Sequence, residues 1–318
     1  MNHLNELLET AKTELRPVIA VAGVKGSELF HAVKVALELK LATFHIFGTL
    51  SEISRFHRET GLDSDFASIK AYPVENGSAA SAAVRHIKSG HAHILMKGDV
   101  STKEMLQAVL DREHGLRQEK LLSHVAVFDV PGREKPVILT DAAINISPDL
   151  TDKVRIAAHA VDIGHTLGIK CPKVAAIAPV DVINEAIPST LDAAKLAEMQ
   201  EKGEITGCLV GGPISFDNAI SPETARQKGV ASKVAGCSDI LLVPSIEAGN
   251  ALYKAFVFFA RAKVAAVVCG ASVPIVLPSR ADCWESKLYS IALAIIIFGK
   301  NRDRSDKNAA NSCNQSKG

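Results

Sequence analysis

The sequence predicts an α/β fold with mainly parallel sheets, arranged in two domains. Three observations point there. Short β-branched runs alternate with longer segments of helical period along most of the chain. Most of those short runs are apolar throughout rather than alternating, as expected of strands covered on both faces. The length of 318 residues, 47% of them apolar, is enough for two ordinary domains with a sizeable core.

In chain order, the strand-like runs are residues 18–22, 43–47, 93–96, 125–130, 137–140, 174–178, 207–210, 240–243, 264–269 and 274–277. Helical segments between them include 27–39, 79–88, 101–110, 151–167 and 248–263. In the fourth of these, Val154, Ala157, Ala158, Val161 and Gly168 fall on one stripe. The turn-like Ser-Pro-Asp within 145–149 precedes a helix, and a domain crossover is placed there. The expected division is 1–144 with 279–299 in the first domain and 145–278 in the second. A polar tail at 300–318, without an apolar period, is expected to be disordered.

Lys plus Arg exceed Asp plus Glu by one (36 against 35), which gives no electrostatic case for nucleic acid or an acidic membrane surface. The longest apolar run, 291–298, falls far short of the roughly 20 residues of a membrane helix. The mixed N-terminal stretch lacks the pattern of a signal peptide, so a cytoplasmic location is expected. Cys171, Cys208, Cys237, Cys269, Cys283 and Cys313 form no C-x-x-C pair, and Cys208 and Cys269 read as small buried hydrophobes. His91 and His93 lack a third ligand at metal spacing and read as a helix-to-strand connection. Motifs of P-loop, dinucleotide-binding, zinc-protease and α/β-hydrolase type do not occur, and Gly23 and Gly26 match the dinucleotide pattern only loosely.

Open α/β sheets bind ligands beyond the carboxyl ends of their strands. After the run ending at Met96 come Lys97, Gly98, Asp99, Val100, Ser101 and Thr102. Glycine permits close backbone approach, Ser101 and Thr102 can cap the next helix, and its amides with Lys97 can hold an anion. An ordinary capped βα loop has the same composition. After Thr140, Asp141 and Asn145 can orient a substrate or close a turn. Gly211 and Gly212 suit a tight turn at a strand end or close approach to a ligand, and Glu247, Gly249 and Asn250, polar and small at a helix start, are further candidates, with Gly212, to bind a substrate. After Leu277, Ser279, Arg280 and Asp282 crowd one strand end; Arg280 suits phosphate oxygens, or it pairs with Asp282 on the surface.

Taken together, these segments resemble the phosphate acetyltransferase and phosphate butyryltransferase family. The matching stretches are MKGDVST (96–102), SHVAVFDVPG (123–132), ILTDAAINISPDL (138–150) and IPSTLDAA (187–194), followed by GPISFDNAIS (212–221), SDILLVPSIEAGNALYK (238–254) and VPIVLPSRAD (273–282). They run in order to about residue 298. The Thr-Asp-Ala-Ala-Ile-Asn and Ile-Glu-Ala-Gly-Asn runs are closer to the butyryl branch.

The resemblance implies a two-domain fold like that of isocitrate and isopropylmalate dehydrogenases, with a cleft between the domains and usually a homodimer or higher homo-oligomer. It implies reversible acyl transfer between coenzyme A and inorganic phosphate, with coenzyme A as substrate rather than resident cofactor, and no metal. It assigns catalysis to Ser279, as donor to the oxyanion, and to Arg280, as holder of phosphate. The acetyl branch has an Asp seven residues after that Ser, where this chain has Ser286, so either Asp282 or Glu285 is the candidate base, or local positive charge alone lets coenzyme A lose its proton. Gln107 replaces an Arg of the acetyl branch, which leaves Lys97, Lys103 and Lys287 as candidate contacts to coenzyme A. Acetyl or broader acyl specificity, a metal- and NAD-dependent dehydrogenase of the same fold, and a non-catalytic module binding coenzyme A or acyl phosphate are the competing readings. The dehydrogenase needs an aspartate cluster that the sequence lacks.

Overall fold

The structure is a computed structural model that describes residues 1, 3–12, 16–62, 68–75, 77–279 and 282–315, with the backbone alone at 305 and 307–315. Helix α1 (Asn5–Ala11) leads into strand β1 (Val18–Ala22), α2 (Ser27–Glu38), β2 (Thr43–Gly48), α3 (Leu50–Thr60), β3 (Ile69–Pro73), α4 (Ala79–Lys88), β4 (Ile94–Lys97) and α5 (Thr102–Val109). Strands β5 (Ser123–Asp129) and β6 (Val137–Thr140) follow, then α6 (Leu150–Thr166), β7 (Lys173–Ile177), α7 (Pro188–Glu201) and β8 (Leu209–Ile214). After α8 (Phe216–Ile220), α9 (Pro222–Gln227), β9 (Ile240–Leu242) and α10 (Ile246–Phe258), the chain closes with β10 (Lys263–Cys269), β11 (Ile275–Val276) and α11 (Trp284–Gln315).

The chain divides into two compact units, one of Asn5–Gln118 with Ala265–Gly318, the other of Met1–Leu4 with Glu119–Val264. In the first, the strand order is β3-β2-β1-β4-β11-β10, parallel except for the antiparallel pairing of β10 with β11. In the second, the order is β5-β6-β9-β7-β8, parallel except between β5 and β6. The sequence places the boundaries at 144/145 and 278/279, whereas the units divide at 118/119 and 264/265. Strand pairing accounts for the difference. β5 and β6 hydrogen-bond to each other and β6 to β9, while β11 pairs with β4 through Ile275 beside Leu95 and Val276 beside Met96.

The apolar strand runs become the cores, as in β4, whose four residues are all buried. Helix α11 lays Leu288, Tyr289, Ile291, Leu293 and Ile295 into the first unit, and the Tyr289 hydroxyl donates to Asn5 Oδ1 of α1. Its backbone stays helical to Gln315, where the sequence suggests a disordered tail; no proline or glycine after Gly299 interrupts it before Gln315. Strand β8 continues through Gly211, Gly212 and Pro213 instead of turning there. It is the edge strand of its unit, where proline costs no ladder bond, and a Cβ on Gly212 would meet that of Ala176 at 2.8 Å.

Candidate active site

Strand β4 ends at Lys97, and the loop after it lies against the loop after β1. The Gly98 amide donates to the Ala22 carbonyl (3.0 Å) and the Asp99 amide to the Gly23 carbonyl (3.2 Å). A Cβ on Gly98 would sit 1.7 Å from the Gly23 oxygen, and Gly23 itself has φ +75°, so both positions require glycine. The glycines thus serve backbone packing between two βα turns. That packing brings Lys25 beside Asp99, with Nζ 3.4 Å from Oδ2, and leaves Lys97 only 4% exposed.

The α2 N-terminus stands in the same turn. Its N-cap is Gly26, with φ 95°, so no side chain caps the first amides of the helix. Such uncapped amides attract anions. A cavity of about 280 Å³ opens there, lined by residues 25–29, 97–99, 278–279 and Lys287. Lys25, Lys97 and Lys287 contribute amino groups to it, and Glu28 and Asp99 carboxylates.

Ser279 reaches this cavity from the turn after β11. Its amide donates to Asp282 Oδ2 (2.7 Å), and the Asp282 amide donates back to the Ser279 carbonyl (3.2 Å). Asp282 is buried, and its carboxylate shapes the Ser279 turn. Lys287, one turn into α11, donates from Nζ to the carbonyls of Ser279 (3.3 Å) and Asp282. Burial pushes the Lys287 ammonium below the ordinary lysine range, against the opposing pull of Asp282, Glu28 and Cys283. Glu285 is half-buried in the first turn of α11 and is not among the residues lining the cavity. Arg280 lies outside the described residues.

Lys97, Gly98, Asp99, Ser279 and Lys287 are therefore brought together. Ser101 and Thr102 are not among the lining residues; the Ser101 hydroxyl accepts from the Glu104 amide (3.1 Å) as the cap of α5. Asp141, Asn145, Gly249 and Asn250 assemble separately within the second unit. The buried Asp141 carboxylate accepts from the amides of His124, Ala143, Ile144 and Asn145 and from Asn145 Nδ2 at 2.6 Å. A Cβ on Gly249 would meet the Asp141 carbonyl at 2.3 Å, and Asn250 Nδ2 donates to the Ala142 carbonyl (3.2 Å). Asp141 thus closes a turn, one of the two roles open to it. Glu247 is exposed, its carboxyl held below the usual range by the Ser245 hydroxyl and its own amide.

Sequence reasoning missed Lys25, Gly26 and Ser27. The signal was available: VKGS at 24–27 follows β1 much as KGDVS at 97–101 follows β4. Comparison with a dinucleotide-binding pattern obscured it.

Beside this cavity lies another of about 350 Å³, which shares Ser27 and Glu28 and is lined further by His31, Lys34, Glu59 and Trp284. The His31 and Trp284 rings meet edge to face with centroids 4.5 Å apart. The Trp284 amide donates to Glu28 Oε2 (2.6 Å), which ties the start of α11 to the start of α2. Among the described residues, no three His, Cys, Asp or Glu side chains are grouped so as to hold a metal ion, and no helix is long and apolar enough to cross a membrane.

Residues 70–295 match the family model described as phosphate acetyl/butaryl transferase. The chain is 42% identical to a phosphate butyryltransferase of Clostridium beijerinckii over 301 residues, which is 94% of this chain and 99% of that protein. It is 39% identical to a phosphate acetyltransferase of Thermotoga maritima, over 92% of this chain and 99% of that one. A branched-chain phosphotransacylase of Enterococcus faecalis superposes with a TM-score of 0.78 at 32% identity, covering 89% of this chain and 99% of that one. Strand-end loops, cavity and likeness over nearly the full length agree: the chain belongs to the phosphate acetyl/butyryl transferase family.

Proposed function

We propose that this chain is a phosphate butyryltransferase, which reversibly transfers a butanoyl group between coenzyme A and inorganic phosphate. The observation that carries this reading is the cavity in which Ser279 stands with Lys25, Lys97, Lys287 and the uncapped amides of α2. Phosphate binds at those amides, and Lys25 and Lys97 balance its charge. The Ser279 hydroxyl donates to the acyl carbonyl oxygen as that oxygen takes up negative charge in the tetrahedral intermediate. Donors already in place at that point do most to lower the barrier. Arg280, by the family resemblance, holds the phosphate with its planar fork.

The adjoining cavity, with the His31–Trp284 pair and Lys34, accepts the nucleotide end of coenzyme A, so coenzyme A acts as substrate and leaves as product. Names among the relatives favour butanoyl, and the Thermotoga protein keeps acetyl or a broader range of short acyl groups as the second reading. One methylene gives only about 1–3 kcal/mol of discrimination, so overlap between acyl groups is expected. The resemblance further supports action in the cytoplasm as a homodimer or higher homo-oligomer, which a sizing measurement checks. Phosphate-dependent thiol release across acetyl-, butanoyl- and isobutanoyl-coenzyme A tests the reading. Butanoyl should have the highest kcat/KM; a clear preference for acetyl favours the second reading, and binding without turnover favours a non-catalytic module.

A further inference from the structure

We propose that Lys287 is the base that takes the proton from the thiol of coenzyme A. This rests on the acyl-transfer reading above. The thiol of coenzyme A must lose its proton to attack an acyl phosphate, and some group in the cavity must accept it. The two carboxylates nearest in sequence to Ser279 are poorly disposed for this. Asp282 is buried and accepts from the Ser279 amide, and Glu285 is not among the residues lining the cavity. Ser286, buried beside Cys283 Sγ at 3.4 Å, is no base.

Lys287 lines the cavity with Ser279 and Lys97. Its Nζ makes two hydrogen bonds, to the carbonyl oxygens of Ser279 and Asp282. A neutral amine has two N–H donors and one lone pair. The two carbonyls take both donors, so the lone pair is left for the cavity. Burial moves the amine in the required direction, toward neutrality. The groups acting on it are the carboxylates of Asp282 and Glu28 and the thiol of Cys283, which favour the ammonium; Lys97, Lys25 and Asp99 line the same cavity.

The step balances. The Nζ lone pair takes the S–H proton, and the sulfur pair attacks the acyl carbon of the acyl phosphate. The C=O π pair moves to oxygen, where Ser279 donates to it. Collapse restores C=O and breaks the bond from carbon to the phosphate oxygen, whose electron pair leaves with phosphate. The Lys287 ammonium then returns its proton to phosphate or solvent. In reverse, the ammonium protonates the departing thiolate.

The test runs in the reverse direction, with butanoyl-coenzyme A and phosphate, where no free thiol titrates at the start. Wild-type kcat should fall as pH rises through the Lys287 value, with a midpoint below about 10.4, the ordinary lysine value. Lys287→Arg keeps charge and donors but stays protonated; it should lose at least about 100-fold in kcat, with a melting temperature within a few degrees of wild type and without the alkaline fall. Added ethylamine should restore turnover to Lys287→Ala in a saturable way. A wild-type rate that stays flat to pH 10.5, an Arg variant within about threefold of wild type, or an Ala variant that no amine rescues each overturns the assignment. A wild-type chain without any acyl transfer overturns the underlying function instead, and this proposal with it.

Discussion

Gly98 and Gly23 are packed backbone to backbone: a Cβ on Gly98 would lie 1.7 Å from the Gly23 carbonyl oxygen. This contact sets Lys97 and Lys25 around one cavity. Gly98→Ala therefore has no small accommodation, since backbone rather than a flexible side chain stands in the way. It should destabilise by at least about 2 kcal/mol and lower the phosphate affinity of any folded fraction. Urea unfolding and phosphate titration on the purified variant measure both. A normal unfolding midpoint contradicts the packing argument.

Ser279→Ala removes one neutral donor from the developing oxyanion. The expected loss is about 10- to 100-fold in kcat with little change in KM. Arg280→Lys should cost more, at least about 100-fold, because an ammonium cannot span two oxygens. Near-normal kinetics in Arg280→Lys would leave Arg280 as a surface partner only.

Trp284→Ala should raise KM for coenzyme A about tenfold and leave kcat within about threefold, since the ring lines the adjoining cavity rather than the one that holds Ser279. Steady-state kinetics with coenzyme A varied at saturating acyl phosphate decide this. An unchanged KM removes the nucleotide from that cavity.

A separate histidine cluster should make stability depend on acid. His45 Nδ1 and His86 Nε2 share a hydrogen bond of 2.7 Å, and His91 stacks on His86. Burial first, then His86, Lys70, His91 and His93, push His45 down to about 4; burial, then His91 and Lys70, lower His86. Both rings thus take up protons less readily in the fold than when unfolded, where they titrate near pH 6.5. Stability is full above about pH 6.5 and declines as pH falls toward 4. The urea midpoint should drop between pH 7 and 5, and His45→Gln should drop less over that range. Equal slopes in the two proteins contradict it.

Much of this architecture was legible because its strands are apolar runs ending in recognisable loops, as at Lys97 and Ser279. What escaped notice had identifiable physical causes. Strand β3 is half-exposed at the edge of its unit and contains Lys70 and Pro73, so it lacks the apolar signature. Helix α3 is polar on average and went unread, although the Thr49 and Glu52 that form its capping box were an available signal for its start. The unit boundaries depend on which strands pair, which local periodicity does not encode. In the site, Asp282 was a candidate base by the family resemblance, yet only the fold turns its carboxylate onto the Ser279 amide.

The most direct measurement is the product itself. Purified protein mixed with butanoyl-coenzyme A and phosphate, followed by thiol release and phosphorus NMR, should yield free coenzyme A and butanoyl phosphate in equal amounts. It should yield neither when phosphate is omitted. Thiol release that proceeds equally without phosphate, or that gives butanoate with no acyl phosphate, contradicts acyl transfer to phosphate and with it the roles given to Ser279 and the lysine-lined cavity.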